Sequence, residues 1–84
     1  GKYSEAEPLF VECLKLMKQT LGDNHHDTLS TINNLGALYL KQKRYEECEP
    51  LYVDCLRLMK RILGENHPHT IGSMNNLAML YSKQ

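Results

Sequence analysis

Apolar residues in the first half of the chain fall into two stripes at helical spacing, and the second half repeats both. The first stripe runs Leu9, Phe10, Cys13, Leu14, Met17, Leu21 and returns as Leu51, Tyr52, Cys55, Leu56, Met59, Leu63. Steps of three or four positions place side chains on one face of an α-helix. The second, narrower stripe runs Leu29, Ile32, Leu35, Leu38, Tyr39 and returns as Ile71, Met74, Leu77, Leu80, Tyr81. Small Gly36 or Ala78 stands within it, where two helices could approach closely. Between the stripes Gly22 and Gly64 stand where a left-handed residue ends a helix. DNHHD and ENHPH follow, in which Asp27 or the Pro68 turn can start the next helix. Such short connections make consecutive helices antiparallel. The pattern predicts an all-α chain of antiparallel helix hairpins with no strands. Four helices are expected, at about residues 4 to 21, 27 to 42, 45 to 63 and 68 to 83.

Laid on itself with a shift of 42, the chain shows roughly 23 identities in 42 positions, far beyond chance. Most mismatches are conservative: Phe10 with Tyr52, Glu12 with Asp54, Lys15 with Arg57, Asp23 with Glu65. Each copy therefore solves the same packing problem. Two local features go against simple rules. Pro8 and Pro50 lie about six residues into the first helix type, past the turn where a missing N–H is free, so a bend or one lost hydrogen bond is expected. Lys43 replaces the glycine that Gly1 supplies in the other copy, so a strained turn is expected before Tyr45.

At 84 residues the chain is one domain at most, and one this small buries only about 60% of its unfolded surface. Ten Lys and Arg balance ten Asp and Glu, leaving no net field to attract nucleic acid, an anionic membrane or an acidic substrate. No apolar run approaches the roughly 20 residues that span a bilayer. Neither nucleic acid nor membrane is expected as a partner. Cys13, Cys48 and Cys55 are odd in number and fall among apolar residues, as reduced, buried thiols do. A cytoplasmic location follows. The chain starts at Gly1 without Met and stops at Gln84 in mid-pattern, as would a piece cut from a longer array.

The residues resemble the tetratricopeptide repeats, in particular the 42-residue variety of kinesin light chains and nephrocystin-like proteins, over the whole chain. The family's first-helix pattern is matched by Ile32, Leu35, Gly36, Tyr39 and by Met74, Leu77, Ala78, Tyr81. Its second helix is matched by Tyr3, Ala6, Phe10, Cys13 and by Tyr45, Cys48, Tyr52, Cys55. Each motif alone would be weak, but the combination is specific. The resemblance implies a right-handed α-solenoid acting as a protein–protein interaction scaffold. Residues 27–64 would form a complete repeat, 1–26 the second helix of a preceding one and 65–84 the first helix of a following one. Each unmatched half exposes an apolar face built for a neighbour, so a homo-oligomer through the end helices is expected, stacked head to tail or swapped.

In the family the first helices line a concave groove that holds peptides. By that resemblance the groove-facing positions are Ser30, Asn33, Asn34, Ala37, Lys41 and Gly72, Asn75, Asn76, Met79, Lys83. The asparagines are the leading peptide-binding candidates, since amides hold an extended backbone whatever its sequence, while lysines favour acidic groups. Alternatively, one member of each asparagine pair fixes a loop or the adjacent repeat, and Lys41 and Lys83 only complement a helix C-terminus. Ala37 and Met79 stand where a carboxylate-gripping subset of the family carries asparagine, which argues against recognition of a terminal carboxylate.

Other chemistry finds little support. His25, His26, His67 and His69 cluster in equivalent loops but offer two ligands at most per loop, so no metal is expected; capping by His25 and His67 fits better. No nucleophile, base and acid stand in a known motif and no phosphate loop occurs, so neither catalysis nor a cofactor is expected. Glu5, Glu7, Glu46, Glu47 and Glu49 open the helices that carry Pro8 and Pro50, and Lys15, Lys18, Arg57, Lys60 and Arg61 close them, as the helix dipole prefers. The alternative to peptide binding is a structural spacer or self-assembling module that touches only neighbouring repeats or copies of itself.

Overall fold

The computed structural model describes residues 2–22 and 24–84; the two positions noted above as Gly1 and Asp23 lie outside the described residues. Four helices form, α1 Tyr3–Thr20, α2 His26–Lys41, α3 Tyr45–Leu63 and α4 Pro68–Lys83, and the described residues include no strand. Each helix packs against its neighbours in the chain. Both stripes meet in one core of Leu14, Leu29, Ile32, Leu35, Leu38, Tyr39, Cys48, Tyr52, Cys55, Leu58, Met59 and Leu80.

The starts of α3 and α4 fall where expected; α1 and α2 each begin one residue earlier, and at α2 the reason is the cap. Asp27 is not the cap: the N-caps are His25 and His67, whose Nδ1 atoms accept the N–H groups of Asp27 (3.0 Å) and His69 (3.1 Å). A ring nitrogen thus satisfies an orphan donor at each start, as the capping expected of His25 and His67 requires. It can do so only while Nδ1 carries no proton. Pro68 occupies the first turn of α4. Gly22 and Gly64 have φ of +86° and +91°, ending α1 and α3 as their positions predicted. Lys43 is left-handed, at φ +63°, which is the strain expected from a side chain where glycine would be relaxed. Both helices run unbroken through Pro8 and Pro50, each at the expense of the hydrogen bond that the missing N–H would have made.

Contacts between α1 and α2 recur between α3 and α4 at positions 42 apart. The Thr31 hydroxyl meets Met17 Sδ at 3.1 Å, and the Ser73 hydroxyl meets Met59 Sδ at 2.9 Å. Tyr39 donates to Glu7 Oε2 at 3.2 Å, and Tyr81 to Glu49 Oε2 at 3.0 Å. The contact between α2 and α3 is of another kind: a methyl group on Gly36 would stand 2.7 Å from Tyr52 Cε1 and 2.9 Å from Cδ1. The tyrosine ring thus occupies the space that a side chain at position 36 would need.

Cys48 and Cys55 are buried, and burial pushes both thiols up from their ordinary value. Cys13 departs from the expectation of a buried thiol, being only half-buried, because α1 lacks a helix over that face. Burial also pushes the Tyr52 phenol up from 10.0 to about 12. The folded state thus holds this proton more tightly than the unfolded chain does. The resulting stabilisation is complete below pH 10 and is lost as pH rises through that window. Stability should fall between about pH 10 and 12, and less steeply in Tyr52→Phe. Equal slopes in alkaline melts of the two proteins would contradict this assignment.

Candidate functional site

Asn34, Ala37 and Lys41 on α2, and their counterparts Asn76, Met79 and Lys83 on α4, follow one another at intervals of three and four, so each helix carries them along one edge. These two edges adjoin, because the Asn76 side-chain amide donates to Asn33 Oδ1 at 3.0 Å. The bond joins the second asparagine of one copy to the first of the other. It ties α2 to α4 and leaves Asn34 and Asn75 exposed, without side-chain partners among the described residues. Of the alternatives open for each pair, one member therefore braces adjacent helices while the other faces outward.

Asn34, Ala37 and Lys41 come together with Tyr3, Phe10 and Leu38 around a recess of about 220 Å3 between α1 and α2. Two aromatic rings, an amide and an ammonium group on one small concavity can stack against, hydrogen-bond and pair with a peptide segment. Met79 and Lys83 lie exposed on α4, so the structure does not bring them into this recess.

Arg44 is the organising residue that charge patterning alone passed over. Its guanidinium donates to Glu7 Oε1 at 2.6 Å, pairs with Glu47, and lies over the Tyr39 ring, 4.6 Å from the centroid. It thereby joins the start of α3 to α1 and α2. The hydrogen bonds from Arg44 hold the Glu7 and Glu47 carboxyls below their ordinary range, and those two carboxylates raise the guanidinium pKa in turn. Helix dipoles account for acids at a helix start in general, but they hid this pairing, whose only sequence signal is the basic residue 42 positions earlier, Lys2.

The histidine rings form a surface stack. His67 lies parallel to His69 at 5.2 Å, and His26 meets His69 edge-on at 5.4 Å. Among the described residues no three His, Cys, Asp or Glu side chains converge as a metal would require. No described helix is long and apolar enough to cross a membrane.

A family model described as Tetratricopeptide repeat matches residues 1–47 and again 27–84. No curated protein matches the chain.

Proposed function

The chain belongs to the tetratricopeptide repeat family, whose repeats mediate protein–protein interaction, and on that premise we propose that it holds a peptide segment along the edge formed by α2 and α4. The observation that carries this reading is the convergence of Asn34, Ala37 and Lys41 with Tyr3 and Phe10 on one recess. Asn34 and Asn75 would bond the peptide backbone. Asn33 and Asn76 would keep the two helices in register. Lys41 and Lys83 would favour acidic side chains, and Ala37 and Met79 would supply apolar contact. Two buried, unreactive thiols suit a reducing compartment such as the cytoplasm.

Fluorescently labelled heptapeptides, neutral and Asp/Glu-rich, provide the test by polarisation. Acidic peptides should bind more tightly. Asn34→Ala should weaken binding about 2- to 10-fold, the worth of one net hydrogen bond, and Lys41→Ala should remove the acidic preference. Peptide affinities indifferent to Asn34→Ala would dismiss the groove and leave the second reading. In that reading the chain is a spacer or self-assembling module. Exposed apolar side chains on α1 and α4 favour it, among them Leu9, 72% exposed, with Ile71, Met74 and Tyr81.

A further inference from the structure

The loops that start α2 and α4 share one plan and differ in what stands beside the cap. Asn24, His25, His26 and Asp27 correspond in order to Asn66, His67, Pro68 and His69. Each helix is capped by an imidazole: His25 Nδ1 accepts the Asp27 N–H at 3.0 Å, and His67 Nδ1 accepts the His69 N–H at 3.1 Å. Imidazoles take up a second proton between about pH 7 and 5, and a ring nitrogen that carries a proton no longer accepts. Both caps are therefore present in neutral solution and lost as pH falls through that window.

What replaces the cap depends on the copy. At α2 the Asp27 Oδ2 atom stands 3.9 Å from His25 Nδ1. A protonated His25 thus exchanges its cap for an ion pair with a carboxylate that the helix N-terminus itself favours. At α4 the equivalent position is His69, and no carboxylate is offered. The His69 ring lies parallel to that of His67, centroids 5.2 Å apart, and meets His26 of α2 edge-on at 5.4 Å. Protonation here sets like charges side by side at the positive end of a helix dipole. Other charged groups give no relief. Glu65 in the same loop makes no ion pair among the described residues, and the residues that close the neighbouring helices, Lys18 on α1 and Lys60 and Arg61 on α3, are cations.

We propose that the α3–α4 loop is an acid-sensitive latch: protonation of His67 and His69 releases the first turn of α4, while Asp27 holds the first turn of α2 closed. The contact of His26 with His69 joins the starts of α2 and α4, so the same event parts the two helices at that end. The latch goes beyond the peptide reading and does not depend on it.

Amide exchange of the whole chain, referred to an unstructured peptide at the same pH, reads the two first turns separately. The Ile71 N–H is bonded to the His67 carbonyl and the Leu29 N–H to the His25 carbonyl, both at 3.0 Å. From pH 7.5 to 5.5 protection at Ile71 should fall about 3- to 10-fold, the worth of a lost cap, and at Leu29 by less than about 2-fold. His69→Asp copies the α2 loop into α4 and should bring the loss at Ile71 down to that at Leu29. Asp27→Asn should bring the loss at Leu29 up to that at Ile71. Both substituted residues are exposed, and circular dichroism at pH 7.5 verifies that each variant keeps its helices. Equal losses at the two amides of the unaltered chain, or none at either, would overturn the latch, as would a loss at Ile71 that His69→Asp leaves in place.

Discussion

Leu29→Ala should lower the stability of the fold by about 2–5 kcal/mol, the range for a buried leucine whose removal leaves a cavity. Leu29 is among the most completely buried large side chains and belongs to the single core shared by all four helices. A chain of this length holds roughly 4–13 kcal/mol in total, so the variant should lose a large share of its stability. Ile71→Ala alters the counterpart position 42 residues later, yet it should shift stability by less than about 1 kcal/mol, because a half-exposed side chain gives up little burial. Urea titrations at low protein concentration, where chains are separate, compare the two directly. Equal losses would show that the repeat equivalence extends to the energetics, against the structural difference between its covered and open faces.

Gly36→Val should be the next most damaging change, at about 1–3 kcal/mol for an overpacked contact. The first added carbon already meets the Tyr52 ring at 2.7 Å, and the branches of valine leave it no rotamer that withdraws from the helix surface. Tyr52 cannot yield, since it is itself buried in the core. Better helix propensity than glycine returns only a few tenths of a kcal/mol. The diagnostic measurement is a double-mutant cycle with Tyr52→Leu. A smaller partner should recover a large part of the loss, and strict additivity of the two substitutions would locate the damage elsewhere.

What could be read from the chain was whatever repeats within a single helix. The two stripes placed all four helices to within about a residue, and the left-handed positions of Gly22, Gly64 and Lys43 followed from where glycine stands or is missing. What could not be read depends on how far one helix is slid along another. The offset bond between Asn33 and Asn76 is one example, because self-comparison pairs Asn33 with Asn75 and says nothing of the diagonal. Arg44 is another, since its partners come from two different helices. Capping by His25 was legible only as one of two options, the other being Asp27, and the ring nitrogen took the site. For the peptide edge, the sequence supplied the candidate residues and the fold showed which of them share a recess: Asn34, Ala37 and Lys41 do, Met79 and Lys83 do not.

The cysteines acquire a meaning from this asymmetry. Cys13 and Cys55 hold the same place in the two copies, but Cys55 is sealed between α2, α3 and α4 and bonded weakly to the Leu29 carbonyl and Ser73 hydroxyl, while Cys13 stands on the open side of α1. Burial keeps the thiol proton on Cys55 and so keeps it from acting as a nucleophile. The difference between the two equivalent thiols is therefore set by which helix face is covered. An accessible thiol in the folded chain marks the open face of α1, and the ratio of accessible to total thiols reports whether that face is covered.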